Sequence, residues 1–236
     1  MITKKLGKAA AFIVLLTINY SVTKAQLSLI PKPDFIQIRD GLYCFPSCSK
    51  IQIGDKEFDA VGRYLQKQLL SKFGYTGLVH HDKKTVSNIR FVHKENLEIE
   101  EYEIKTDSNT LIIYASSPAG ATYAVSSLLQ VLSFGKKSTS GISVNIFEIK
   151  DKPAYVWRGF MLDESRHFFG KEKVKSILDW MAFYKLNKFH WHLTDEPAWR
   201  LEIQKYPLLT LIGGIAPRLI HMLPRPIIRR QTLQRL

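Results

Sequence analysis

A chain of 236 residues with 45% hydrophobic content has room for one or two ordinary globular domains, and its formal charge of +13 invites a nucleic-acid reading. Divided along the chain, that charge loses its force. Lys4, Lys5, Lys8 and Lys24 precede residue 26, and Arg218, Arg225, Arg229, Arg230 and Arg235 follow residue 214, with no acid beside either set. Setting those nine aside from the 34 basic residues leaves 25 against 21 acids, a net of +4, so the body of the protein does not read as a polyanion binder and nucleic acid is not expected as a partner.

Residues 1–25 read as a secretory signal: lysines first, then the apolar run Ala9 to Ile18, then a polar stretch closing on Thr23 and Ala25, suited to cleavage before Gln26. The run is too short to span a bilayer, so no membrane span is expected. Without a Cys after the run a lipoprotein signal is not expected either, and the expected location is the periplasm or the exterior. Cys44 and Cys48 stand in C-x3-C spacing without a second ligand pair, which speaks against zinc; a local disulfide between them stays open.

Residues 26–150 read as a small α+β domain. After the Pro31–Pro33 entry, Phe58, Val61, Leu65 and Leu69 mark a helix face and Ile89–Val92 a short strand. The β-prone runs Tyr102–Lys105 and Leu111–Ala115 are joined by Thr106-Asp107-Ser108-Asn109, a turn-forming set that predicts a hairpin. Ser117 before Pro118 starts a helix with Ala121, Ala124, Val125, Leu128 and Leu132 on its buried side. Tyr75, His80, His81 and His93 have no spaced partners and read as surface or packing residues. Lys136 to Gly141 reads as an exposed loop, and Asp151-Lys152-Pro153 as the joint into a second domain.

The stretch Trp157 to Trp199 carries the chemistry. Two apolar runs, Arg158–Leu162 and Lys188–Leu193, flank a segment in which Val174, Ile177, Leu178, Met181 and Ala182 lie on one helical face, which is the pattern of a βαβ unit. Both runs end in polar residues, Asp163, Glu164, Arg166 and His167 after the first and Thr194, Asp195 and Glu196 after the second. The carboxyl ends of parallel strands are where ligands gather in α/β folds, so these residues are the functional candidates.

The strings RGFMLDESRHFF, MAFYKLNKFHWHLTDEPAWR and EIQKYPLLTLIGG resemble the start of the catalytic barrel of family 20 glycoside hydrolases, the β-N-acetylhexosaminidases. EEYEIKTDSNTLIIYASSPAGATYAVSSLLQVL is similar to the small α+β domain that precedes that barrel. The resemblance covers about residues 28 to 214. It implies an α/β fold in which residues 151–214 begin a (β/α)8 TIM barrel, and removal of terminal β-linked N-acetylglucosamine or N-acetylgalactosamine from a glycan. In this family the sugar's own acetamido oxygen is the nucleophile, so no cofactor and no metal are expected. The resemblance places Arg166 on the hydroxyls of the terminal sugar, where a planar guanidinium with five donors can hold two oxygens at once. It places Asp195 as a support for the catalytic acid, and Arg158, Asp163, His190 and His192 nearer the barrel wall.

Other readings stand beside these. Arg166 could serve only as an ion-pair partner of Asp163 or Glu164, and Asp195 only as a helix cap or surface pair. Arg158, at the start of its strand, reads as structural. His190 and His192 at i, i+2 share one strand face, as in metal-dependent barrel hydrolases, but two ligands are too few for a site. Asp195-Glu196 is not the catalytic dyad, because the family's Asp-Glu pair comes after a later strand. Residues 215–236, with three prolines, five arginines and no acid, show neither helical nor alternating periodicity and read as a divergent basic tail, altered or frame-shifted. The chain is thus expected to be a truncated enzyme without its Asp-Glu pair and to be inactive alone. The alternatives are a non-catalytic carbohydrate-binding remnant and a metal-dependent barrel hydrolase; oligomeric state is not legible.

Overall fold

The structure is a computed structural model that describes residues 27–214. The expected signal segment and basic tail lie outside the described residues. The first half of the fold runs β1 (Phe35–Pro46), β2 (Cys48–Ile53), a 3-10 turn at Lys56–Phe58, α1 (Asp59–Phe73), β3 (Thr76–His80), β4 (Ile89–His93), β5 (Tyr102–Thr106), β6 (Leu111–Ala115), α2 (Pro118–Ser133), β7 (Lys136–Lys137) and β8 (Gly141–Asp151). The strands form one sheet in the order β1-β8-β5-β6-β4-β2-β3, with β7 pairing on β8. Pairing is parallel among β6, β4, β2 and β3 and antiparallel among β1, β8, β5 and β6.

The two faces of this sheet differ. Ile51, Ile53, Ile89, Phe91, Ile104, Ile113 and Ile149 pack with Leu65 and Leu69 of α1 and Ala124, Leu128 and Leu132 of α2 in one buried cluster. On the opposite face Glu103 and Glu148 are ringed by Lys94, Lys105, Lys150 and Arg39, a ladder of ion pairs on the pleat positions that alternate with the core. This is the α+β domain read from the sequence. Asp107 accepts from the backbone N–H groups of Asn109 and Thr110 and so closes the hairpin. Ser117, extended at φ −152°, accepts from Gly120 N at 3.3 Å ahead of Pro118 in the first turn of α2. Cys44 and Cys48 are free, exposed thiols on β1 and β2, which follow one another in the chain but are not paired in the sheet.

One sequence expectation needs correction here. Lys136 and Lys137 are not loop: they pair with Ser143 and Ile142, because the chain turns back on itself at Ser138–Gly141. The long antiparallel partners β1 and β8 carry no clear strand signal; β1 is interrupted by a register shift between Arg39 and Leu42, which breaks its alternation. His93 is an exposed residue stacked on Phe58, as read from the sequence, and its Nδ1 stands 2.6 Å from Glu57 Oε1.

The second half begins with β9 (Gly159–Asp163), α3 (Lys171–Phe183) and β10 (Lys188–His192), a parallel βαβ unit in the register Gly159 to Lys188 through Asp163 to His192. β11 (Thr194–Asp195) and β12 (Ala198–Trp199) form a tight antiparallel pair, and α4 (Pro207–Leu211) comes after them. The βαβ unit is seated on α2 and on the end of β8. Ser126 Oγ donates to Ala182 O at 2.8 Å, and Gln130 Nε2 to Phe183 O at 3.1 Å. Lys185, left-handed at φ 61°, turns the chain out of α3 and buries its ammonium between Tyr102 OH and Asp151 Oδ2, each at 2.7 Å. Arg158 completes the joint by donating to Glu100 Oε2 at 3.0 Å and Tyr123 OH at 2.7 Å, the structural part expected of it.

Candidate functional site

The parallel register sets the site. Alternation along β9 and β10 sends Leu162 toward α3, where it is buried, and sends Asp163 and His192, partners in register, to the other face. The chain then turns sharply after each strand. Glu164 N and Ser165 N both donate to His192 O, at 2.9 and 3.3 Å, which holds the loop after β9 against the end of β10. Arg166 N donates to Asp163 Oδ1 at 3.0 Å, so the Asp163 side chain closes that loop three residues on.

Four side chains converge above it. The Arg166 guanidinium bridges Asp163 Oδ2 and Asp195 Oδ2, the latter at 3.1 Å, and His192 Nε2 stands 3.1 Å from the same Asp195 oxygen. Arg166 is thus paired with Asp163 and Asp195, and not with Glu164. Its side chain stays 63% exposed, and an ion pair that open to water contributes little to stability, so the cluster is not accounted for as a folding device. The backbone N–H of Arg166, then its side chain, hold the Asp163 carboxyl below the usual carboxylate range. The backbone N–H of Glu196, then His192, do the same for Asp195. Both carboxylates are therefore acceptors and not proton donors at neutral pH, and the arrangement offers one guanidinium with free donors flanked by two fixed anions.

Beside Asp195 lies an open, mostly apolar hollow of about 660 Å³ bordered by Glu196, Trp199, Tyr206, Leu209 and Ile212. Gly213, which also borders it, has no room for a side chain: a Cβ there would stand 2.6 Å from Leu209 O. His190 and His192 share a face with ring centroids 6.1 Å apart. Among the described residues, the group whose three possible metal-ligating atoms come together is elsewhere, Asp55, Glu57 and His93, all exposed on the small domain.

Sequence reasoning named Glu164 among the candidates but did not single out Ser165 or Arg200, and all three are buried beneath the site. The available signal was Arg200 itself, an arginine between the apolar residues Trp199 and Leu201, whose charge has to be satisfied if that stretch is buried.

Residues 26–152 match the family model described as glycosyl hydrolase family 20, domain 2, and residues 155–224 the one described as glycosyl hydrolase family 20, catalytic domain. A beta-hexosaminidase of Porphyromonas gingivalis is 32% identical over 195 residues, covering 80% of this chain and 25% of that protein. A beta-hexosaminidase of Vibrio furnissii is 34% identical over 192 residues, covering 80% of this chain and 30% of that protein. Among solved structures, the GH20 exo-β-N-acetylglucosaminidase of Vibrio harveyi in complex with N-acetylglucosamine superposes with a TM-score of 0.78 at 30% identity, over 88% of this chain and 33% of that one. The β-N-acetylhexosaminidase of Bacteroides fragilis does so with a TM-score of 0.75 at 27% identity, over 89% of this chain and 42% of that one. The chain thus spans between a quarter and a half of the length of these relatives.

Proposed function

This chain belongs to glycoside hydrolase family 20, and from that premise we propose that it forms the sugar-gripping part of a β-N-acetylhexosaminidase site, in which the βαβ unit opens a (β/α)8 barrel. The observation that carries the reading is the meeting of Asp163, Arg166, His192 and Asp195 at the carboxyl ends of adjacent parallel strands. The ligand is the non-reducing N-acetylglucosamine or N-acetylgalactosamine of a glycan. Arg166, already oriented by two carboxylates, donates to the sugar hydroxyls through its remaining N–H groups. Asp195 holds negative charge beside His192 and supports proton transfer to the leaving oxygen, while the substrate's acetamido oxygen acts as nucleophile. The lysine-led, apolar residues 1–25 support export of the protein.

The group that protonates the leaving oxygen is not part of this cluster. The acids after Asp195 are Glu196 and Glu202, and neither comes after a further strand of the barrel type. General acid catalysis contributes about 10²–10⁴-fold. The purified 236-residue chain is therefore expected not to release nitrophenol from a nitrophenyl N-acetyl-β-glucosaminide. Release above a mock preparation and insensitive to EDTA would overturn that expectation, and release that requires zinc would favour a metal-dependent hydrolase built on His190 and His192.

The sugar assignment is tested in a protein in which residues up to Gly214 are continued by a complete family 20 barrel. Arg166→Ala there should raise KM and lower kcat/KM, since each charged hydrogen bond lost costs about 1.5–3 kcal/mol, and Arg166→Lys should not restore it. Asp195→Asn should instead lower kcat and move the basic limb of its pH profile. If Arg166→Ala leaves both parameters within about twofold, a change of ~0.4 kcal/mol, the assignment is withdrawn.

A further inference from the structure

Arg200 lies directly beneath the loop that carries Arg166. Its guanidinium belongs to a residue only 4% exposed, yet among the described residues its N–H groups go to main-chain carbonyls and not to a carboxylate. Nε donates to Glu164 O at 3.0 Å, Nη2 to Ser165 O at 3.2 Å and Nη1 to Gly214 O at 3.1 Å, and the group sits 5.7 Å over the ring of Phe168. A buried cation is costly unless fully hydrogen-bonded, so a guanidinium spent on three carbonyls is a fixed point in the fold. The backbone of Arg200 is fixed too, its N–H donating to Leu193 O at 2.9 Å just past β10.

One side chain therefore joins the segment after β10, which holds Asp195, to the two peptides that immediately precede Arg166. Ser165 runs a parallel tie, its Oγ donating to Ala198 O at 2.7 Å. Glu164, 0% exposed, receives Phe169 N on Oε2 at 3.0 Å, while Oε1 is buried with no hydrogen-bond partner among the described residues. Arg166 is tied locally, by its backbone N–H to Asp163 Oδ1 at 3.0 Å, and its exposed head reaches both carboxylates from a loop whose place is set by the buried contacts beneath it.

We infer that Arg200 is a positioning residue for the site, clamping the carbonyls of Glu164 and Ser165 so that Arg166 is held between Asp163 and Asp195. The sugar-binding consequence rests on the function proposed above; the clamp does not. The fork geometry matters as much as the charge, because an ammonium at the end of a lysine cannot reach three carbonyls set at these angles.

The experiment uses the 236-residue chain with arginine side chains labelled in ¹⁵N. Rotation of the Arg166 guanidinium about Nε–Cζ is slowed when both terminal nitrogens are held, and its line shape reads that restraint with no sugar present. Arg200→Lys, Arg200→Met and Ser165→Ala are compared at a temperature where near-UV circular dichroism shows native packing. The expected result is several-fold faster rotation of Arg166 in both Arg200 variants and a smaller increase in Ser165→Ala, with the Arg158 guanidinium in the domain joint unchanged. Unchanged rotation of Arg166 in the folded variants overturns the inference. If the Arg200 variants fail to fold, Ser165→Ala decides: Arg166 rotating as in the parent counts against a loop held from beneath. In the completed barrel, Arg200→Lys should raise KM by about the factor seen for Arg166→Lys with a smaller change in kcat. If Arg166→Ala proves silent there, the sugar assignment falls while the rotation experiment still judges the clamp.

Discussion

At Glu164 the local rules conflict: burial pushes its carboxyl above the usual range, although the backbone N–H of Phe169 pulls the other way. A carboxyl raised in the folded state favours folding below its unfolded value and loses that contribution as pH rises through the folded value. Glu164→Gln keeps an acceptor for Phe169 and removes the charge. It should therefore be more stable than the parent near pH 7.5, with the difference closing below about pH 4, near the unfolded value of a glutamate. Denaturation in urea at the two pH values checks this, and an equal gap at both would contradict it. Asp163 and Asp195 work in the opposite sense, since their depressed carboxyls support the fold above the unfolded value and cease to do so as pH falls through the folded one.

Elements show where a sequence signal is strong and where it is silent. The start of α2 is written in Ser117-Pro118, and removing the cap with Ser117→Ala should cost about 1 kcal/mol in urea denaturation. Three residues on, local propensity misleads. Alanine is favoured over glycine inside a helix by about 1 kcal/mol, yet a Cβ on Gly120 would sit 2.4 Å from Glu101 O and 3.3 Å from Ile99 O. Gly120→Ala should therefore destabilise, by about 1–3 kcal/mol, because the helix has to back away from the loop before β5. A neutral or stabilising result would show that the loop yields easily. The same helix carries Ser126 and Gln130, polar residues in an apolar element whose partners, the last carbonyls of α3, belong to another part of the fold.

For the whole molecule the decisive region is the joint between the two halves. Lys185 and Asp151 are nearly inaccessible, and burial draws the lysine below its usual range while Asp151 draws it back. Removing one partner from such a pair leaves a buried charge alone and costs about 3–5 kcal/mol, so Lys185→Met should destabilise strongly and Asp151→Asn in the same chain should recover part of the loss. Hydrogen exchange would locate the damage. In Lys185→Met the amides of α3 and β10 should exchange faster while those of β5 and β6 stay protected, because the small domain buries its own core and β9 and β10 pair only with each other among the described residues. Uniform acceleration across both halves would mean that they open as one unit.

Much of this protein is legible without coordinates. The hairpin at Asp107, the start of α2, the βαβ unit and the polar residues after its strands all arise from short-range patterns, namely turn chemistry, capping and hydrophobic period. Family 20 membership is legible too, in strings of residues around Arg166 and Asp195. What the sequence could not disclose is what depends on distant backbone. β1 and β8 find each other across about a hundred residues, and His93 meets Glu57 only because their elements are packed side by side. The partners of Arg158, Lys185 and Arg200 are set by where the two halves and the ends of β9 and β10 come to rest. A charged side chain names the kind of partner it requires, but its burial, and with it the worth of the pair, is decided by tertiary packing that no local pattern records.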